Sequence, residues 1–289
     1  MPLSNVVTTL MNSSRSTRLR RGLDRLRNRT RISTVRVVEP GASARTSPID
    51  ELRVRFAGRT VRVRVRRDTT DIDLVRMILQ DDGEYRLPPE VEPQIIFDVG
   101  ANIGVTAIYF AAMYPDAEIW CFEPLSENVR LLEANARLAG DRVHVVPYGL
   151  SDVAGLFPYR MSDEVRSFAG GTFRDEGGDP SRRMMLPLGT VADAMAHAGV
   201  DRVDVFKIDT EGSEWPILRS IPEPVRRSAQ AFIGELHGNE DWAFCELLAR
   251  THALGIEKRY QRRCYPFVAV RRDLARQEEF GVPVTADRR

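Results

Sequence analysis

Ile95-Ile96-Phe97-Asp98-Val99-Gly100-Ala101-Asn102-Ile103-Gly104 is the stretch that decides the fold. A short apolar run carrying one acid enters a glycine turn, and Val105 to Met113 then continues as a helix. Strand, tight turn and helix are the opening unit of a doubly wound α/β sheet. The turn of that unit sits at the carboxyl end of the first strand, beside the reversal of strand order where ligands bind. Gly100 lets the backbone turn sharply and approach a ligand, and Gly104 lets the following helix pack near the strand. The spacing is not G-x-G-x-x-G, because Asn102 stands where a dinucleotide fingerprint has its second glycine. Asp98 lies two residues before the first glycine. A carboxylate there repels a pyrophosphate and suits a ligand bearing an ammonium or sulfonium.

Outward from the turn, strands and helices alternate. Strands are expected at Glu118–Phe122, Val143–Tyr148, Val203–Ile208, Ala231–Leu236 and Phe267–Val270, and helices at Ser126–Leu138, Val191–Ala198 and Glu240–Leu254. Strands that are apolar throughout, with helices between them, predict a parallel sheet covered on both faces. Ahead of this domain, Leu52, Val54 and Phe56 alternate with arginines, as do Val61, Val63 and Val65 beyond Ala57-Gly58. Period two makes this a β-hairpin with one apolar and one arginine face, and Asp71–Gln80 reads as a helix after it. The fold class is therefore a doubly wound, Rossmann-like α/β sheet with an N-terminal hairpin and helix extension. The organisation is a basic, weakly ordered segment 1–48, an extension 49–93 and a main domain 94–289. Residues 151–186 are rich in glycine and mixed charge, and are expected to form a long substrate loop.

Two further strand ends complete a nucleoside site. Glu123, in Cys121-Phe122-Glu123-Pro124, lies 25 positions after Asp98, the place of the carboxylate that takes two ribose hydroxyls. A helix cap is the alternative, but Ser126 offers that cap. Asp152, in Gly149-Leu150-Ser151-Asp152, is placed either to accept from an adenine amino group or simply to make a turn. With the acid before the glycine turn, S-adenosylmethionine fits better than a nicotinamide dinucleotide. Its binding set is Asp98, Gly100, Asn102, Gly104, Glu123, Asp152 and Asp209.

The chemistry is expected at strands four and five. Val203-Asp204-Val205-Phe206-Lys207-Ile208-Asp209-Thr210-Glu211-Gly212-Ser213-Glu214 crowds acids at a strand end, which raises carboxylate pKa values unless cations share the site. Asp209 either receives the cofactor ammonium or aligns a substrate hydroxyl. Glu214 starts the next helix, where its charge suits the dipole, and Lys207 pairs with an acid. In Gly234-Glu235-Leu236-His237-Gly238, Glu235 and His237 share one face. His237 is the candidate general base, since an imidazole near neutrality suits removal of a hydroxyl proton. The catalytic set is His237, Asp209, Glu211 and Glu235. A divalent magnesium-type metal on those four residues is the rival reading, and a metal-free site is preferred. His144, His197 and His252 read as structural or exposed.

Composition narrows the class. Of 289 residues, 43% are hydrophobic and 29% charged, an ordinary globular balance. No apolar run reaches the about 18 residues that a membrane helix needs, and the first residues lack the features of a secretory signal. Cys121, Cys245 and Cys264 are sparse and far apart, which argues against disulfides or structural zinc and for a reducing cytoplasm. Residues 1–67 carry 17 arginines against four acids, leaving a net −12 on the remainder. Leu19, Leu23 and Leu26 permit one short amphipathic helix in that basic front.

Taken in order, Phe97 to Gly104, Phe122-Glu123-Pro124, Leu150-Ser151-Asp152, Lys207 to Glu214 and Glu235-Leu236-His237 resemble the FkbM family of methyltransferases over about residues 71–270. The resemblance implies a class I methyltransferase sheet, S-adenosylmethionine as donor, and a hydroxyl of a natural product or sugar as acceptor. The front segment and residues 151–186 lie outside the shared pattern. The fourth strand lacks the Asn/Asp-Pro-Pro-Tyr type of loop of base-methylating enzymes, so an oxygen acceptor is expected. Two other classes remain as rivals: a nicotinamide-dependent oxidoreductase, opposed by Asp98 and Asn102, and a nucleic-acid binder acting through the basic front.

Overall fold

A computed structural model describes residues 32–36, 49–79, 85–161, 171–172, 183–238, 240–257 and 264–275. Strands β1 (Ile32–Arg36), β2 (Ile49–Phe56) and β3 (Arg59–Arg66) form an antiparallel sheet, followed by helix α1 (Asp71–Leu79). The main domain begins β4 (Ile95–Val99), α2 (Val105–Met113), β5 (Glu118–Phe122), α3 (Ser126–Ala139), β6 (Val143–Val146). Next come β7 (Gly149–Leu150), β8 (Gly155–Met161), β9 (Gly171–Thr172), β10 (Arg183–Gly189) and α4 (Val191–Ala198). The chain continues through β11 (Val205–Ile208), α5 (Glu214–Ser220), α6 (Glu223–Ser228) and β12 (Ala231–Leu236). It closes with α7 (Asp241–Ala249), β13 (His252–Ile256) and β14 (Tyr265–Arg271).

The central sheet has seven strands in the order β13-β14-β12-β11-β4-β5-β6. Strands β6, β5, β4, β11 and β12 run parallel, and β14 is antiparallel to both β12 and β13. Every residue of β11 and β12 is buried, as the unbroken apolar runs require for strands covered on both faces. From β4 the chain winds outward through β5 and β6, then returns to β11 on the other side. Strand order therefore reverses between β4 and β11, and the crevice opens over their carboxyl ends. The doubly wound sheet read from the sequence is the observed one.

The hairpin is seated on this domain. Leu52, Val54, Val63 and Val65 pack in one core cluster with Ile103 and Tyr109. Arg66 grips Asp71 through Nε to Oδ2 (2.8 Å) and Nη2 to Oδ1 (2.9 Å), and its Nη1 donates to Asn128 on α3 at 3.0 Å. Asn135 of α3 closes a reciprocal pair with the backbone of Arg64, satisfying an otherwise open strand edge. Arg53, Arg55 and Arg62 face solvent, as the alternation predicts, whereas Arg64 of the same face is half-buried beside Glu51 and Arg66 is buried against Asp71 and Asn128.

Three expectations change. The long loop expected at 151–186 is instead partly a second sheet, order β7-β10-β8-β9, with Phe157 opposite Leu186. Its glycines and prolines hid two strands that lack strict alternation. Within the expected tail, Ile32–Arg36 pairs antiparallel with β2; the helix expected around Leu19, Leu23 and Leu26 lies outside the described residues. The helix expected to reach Leu254 ends at Ala249, and His252–Ile256 turns back as a strand. Among the described residues no helix is long and apolar enough to cross a membrane.

Candidate functional site

A cleft runs over the carboxyl ends of β4, β5, β11 and β12. Gly100, Asn102, Glu123, Asp209, Glu211 and Glu235 line it, joined by Tyr85, Lys207 and Tyr159. Gly100 adopts φ +80°, and a Cβ there would meet the Asp209 carbonyl oxygen at 2.0 Å. The glycine is thus required by the close approach of the β11 backbone. Gly104 is left-handed too, and a Cβ would press Leu132 of α3, so it sets helix against helix.

On the β4–β5 side the acids are matched by donors. Glu123 is buried; its Oε2 accepts from Asn102 N (2.9 Å), and its Oε1 from Leu125 N (3.0 Å) and Asn128 Nδ2 (3.3 Å). A carboxylate offers about four acceptor positions, so capacity remains for ribose hydroxyls. Asn102, held at the left-handed φ of 50°, keeps on the same wall a buried side-chain oxygen that has no hydrogen-bond partner among the described residues. These acceptors fit the hydroxyl and ammonium groups of S-adenosylmethionine.

Asp98 does not line the cleft. It is wholly buried and ion-paired with Lys207 Nζ at 3.2 Å, and that ammonium also donates to the Gly100 carbonyl at 2.7 Å. Burial alone would lower the Lys207 pKa; the charges of Asp98 and Asp209 hold it above the ordinary lysine value. The acid expected to face the ligand cation is therefore spent on an internal lysine. Asp152 is likewise directed elsewhere, to Arg219 and the Ser151 hydroxyl. Against slight burial, the guanidinium keeps it below the usual carboxylate range.

On the β11–β12 side four acids surround one imidazole. His237 Nδ1 lies 3.0 Å from Glu214 Oε1; Nε2 lies 3.6 Å from Glu211 and 3.8 Å from both Asp209 and Glu235. The expected catalytic set is thus brought together, with Glu214 added. Glu214 Oε1 also accepts from Thr210 N and Gly212 N, each at 3.1 Å, so one oxygen fixes both the turn after β11 and the ring. Burial by itself would lower the His237 pKa, but the Glu214 hydrogen bond and the Asp209 charge push it up to about 9. The near-neutral value assumed for a free histidine base is not what this setting gives. Burial and the Asp209 charge push the Glu211 carboxyl up to about 7. Glu211 also holds the left-handed φ of 57°, a strained geometry for a non-glycine residue.

Sequence reasoning missed Tyr85 and Tyr159. The Tyr85 hydroxyl donates to Asp209 Oδ2 at 2.8 Å, and its ring stands 5.5 Å from Lys207 Nζ. Neither tyrosine belongs to a strand-end motif, and no spacing flags it. The other histidines sit apart: His144 stacks on Trp120, and His252 is buried with Nε2 on the Ala229 carbonyl.

The model of the methyltransferase FkbM domain matches residues 98–261. Curated relatives include the AMB antimetabolite synthetase AmbE of Pseudomonas aeruginosa, 25% identical over 190 residues, 54% of this chain and 9% of that protein. Another is 31-O-demethyl-FK506 methyltransferase FkbM of Streptomyces tacrolimicus, 25% identical over 206 residues, 61% of this chain and 78% of that protein. The chain thus spans a small part of the first and most of the second. Among solved structures, a putative O-methyltransferase from Klebsiella pneumoniae is 12% identical, with TM-score 0.38 over 70% of this chain and 96% of that one. A methyltransferase family replaces the nicotinamide alternative, and S-adenosylmethionine is the methyl donor. With more than half of its length matched, the chain belongs to the FkbM methyltransferase family.

Proposed function

We propose that the protein is an O-methyltransferase acting on a hydroxyl of a small molecule, a natural product or a sugar, in the cytoplasm. One observation carries the reading: the acceptor-rich wall at Glu123 and Asn102 and the carboxylates Asp209, Glu211 and Glu235, which surround His237, line a single cleft. An alcohol oxygen must lose a proton as it takes a methyl group, and a positioned base supplies that help. The bound donor supplies an electrophilic methyl carbon on a sulfonium. Glu123 and Asn102 hold the adenosyl end, and alignment is the larger part of the catalysis. Asp209, fixed by Tyr85, and Glu235 orient the acceptor hydroxyl. Glu211 is the most exposed member, with 44% of its side chain open to solvent, and it accepts the proton at the mouth. His237 is the positive centre that keeps the carboxylates together and faces the developing alkoxide. The Streptomyces tacrolimicus relative, whose name specifies an O-demethyl substrate, supports oxygen as the acceptor atom, and three free cysteines support a reducing compartment.

The test is incubation with methyl-labelled donor and a panel of hydroxylated metabolites, with product analysis by mass spectrometry and NMR. Label on an ether or ester oxygen is expected. Label on nitrogen or carbon would overturn the choice of acceptor.

A further inference from the structure

Most of the cleft belongs to the main domain, but one wall comes from the N-terminal extension. Leu74, Met77 and Ile78 of α1 line it, beside Tyr85. The three fall at i, i+3 and i+4, so they form one stripe along the helix. Ile78 is buried, whereas Leu74 and Met77 are half-buried. The charged residues of α1 are engaged elsewhere. Asp71 is buried against Arg66, and Asp73 is exposed and paired with Arg76 at 3.1 Å. This wall therefore offers a ligand apolar contact rather than hydrogen bonds.

A second observation puts this wall on the acceptor side. Beyond α1 the same extension brings in Tyr85, whose hydroxyl donates to Asp209 at 2.8 Å. Asp209 belongs with the carboxylates around His237, across the cleft from the Glu123 seat. The wall is also fixed in place, since Arg66 holds Asp71 at the first turn of α1 and reaches Asn128 on α3. Both α1 and Tyr85 precede residue 98, where the match to the family domain begins. A pocket that is mainly apolar, with a few polar groups at one end, orients a ligand by that end.

We propose that α1 selects the acceptor: the alcohol sets its hydroxyl at Asp209 and Glu235 and lays an apolar body along Leu74, Met77 and Ile78. The acceptor class is then an alcohol on a hydrocarbon frame, not a sugar. A ring with a hydroxyl on every carbon would leave several of them unpaired along α1, and a polar group taken from water without a partner is costly. Each CH₂ moved from water onto such a wall is worth about fourfold in affinity. The inference rests on the oxygen methylation proposed above and narrows its acceptor.

The experiment uses the whole chain with S-adenosylhomocysteine, so that probes bind without turnover. Methionine ε-methyl groups carry ¹³C, and the Met77 signal is identified by its loss in Met77→Leu. The probes are ethylcyclohexanol and butylcyclohexanol, alkylated opposite the hydroxyl, with myo-inositol as the polar counterpart. Both cyclohexanols are expected to shift the Met77 signal to saturation, the butyl compound binding at least about tenfold tighter than the ethyl. Inositol is expected to leave the signal in place up to about 10 mM. Leu74→Asn should weaken butylcyclohexanol binding at least about tenfold, with donor affinity in calorimetry changed less than about twofold. A Met77 signal unmoved by both cyclohexanols, a response to inositol, or a Leu74→Asn loss that falls on the donor instead would each overturn the proposal. If that variant fails to fold, the Met77 signal of the unaltered protein decides. Transfer from methyl-labelled donor to the same probes and to butylcyclohexylamine separates the two readings. Methyl on an inositol oxygen sinks this inference alone, whereas methyl on the amine nitrogen and on none of the alcohols sinks oxygen methylation itself.

Discussion

The two walls of the cleft handle negative charge in opposite ways. Along β4 and β5, Glu123 on the wall has three N–H donors and Asp98, buried behind it, has Lys207, so each acid is matched inside the protein. Along β11 and β12, Asp209, Glu211, Glu214 and Glu235 crowd one imidazole, only Asp209 also has Lys207 at 4.0 Å, and among the described residues a buried Glu235 oxygen has no hydrogen-bond partner. The first wall is a finished seat that asks a ligand only for its hydroxyls and amine. The second is incomplete without something positive or protic. In the function proposed above, matched charge serves binding and surplus charge serves chemistry.

The contrast can be broken most forcefully at Lys207. Lys207→Met leaves Asp98 buried without its cation, and a loss of about 3–5 kcal/mol is expected in urea unfolding. A loss below about 1 kcal/mol would mean that Asp98 is not ionised in the native protein. On the other wall, His237→Ala should reduce kcat by about 10²–10³-fold while leaving donor affinity nearly unchanged by calorimetry. Equal losses in kcat and donor affinity would erase the distinction between the walls. Glu123→Gln should do the reverse, weakening donor binding about tenfold to hundredfold, or about 1.4–2.7 kcal/mol, with little change in kcat at saturating donor.

A histidine from outside the cleft sharpens the comparison and gives the smallest effect. His252 is buried with its Nε2 on the Ala229 carbonyl and its Nδ1 against the Thr251 hydroxyl. Burial pushes its pKa down to about 4, so it is neutral in the native state. The unfolded chain takes up the proton first, and stability therefore falls as pH drops below about 6.5. Between pH 7.5 and 5.5 the His252 share is about 1.4 kcal/mol. That portion of the pH dependence should vanish in His252→Gln, as read by denaturation midpoints.

How far the sequence is legible follows from the range of the interactions. The strand–turn–helix at Asp98 to Gly104 and the apolar runs of β11 and β12 are local patterns, so the sheet can be read from them. Asp209, Glu211, Glu235 and His237 sit at strand ends, and the rule that ligands meet strand ends gathers them correctly. The partner of Asp98 is a different matter. Lys207 is distant in the chain, and only the parallel register of β4 with β11 sets it opposite Asp98. Asp152 pairs with Arg219 across a gap of 67 residues, which no motif encodes. Tyr85 comes from a stretch with no periodic signal at all. The strands β8 and β10 carry prolines and glycines that read as loop, and their pairing with each other overrides that local preference.

One small amide has a consequence beyond its size. Asn128 accepts from Arg66 of the N-terminal hairpin through its oxygen and donates to Glu123 through its nitrogen. A side-chain amide cannot satisfy both neighbours if it swings, so it acts as a stop that registers the outer hairpin against Glu123. Trimming the chain to residues 98–261, the segment the family model matches, would remove Arg66, free the Asn128 amide to swing, and so disturb the proposed donor site from a distance.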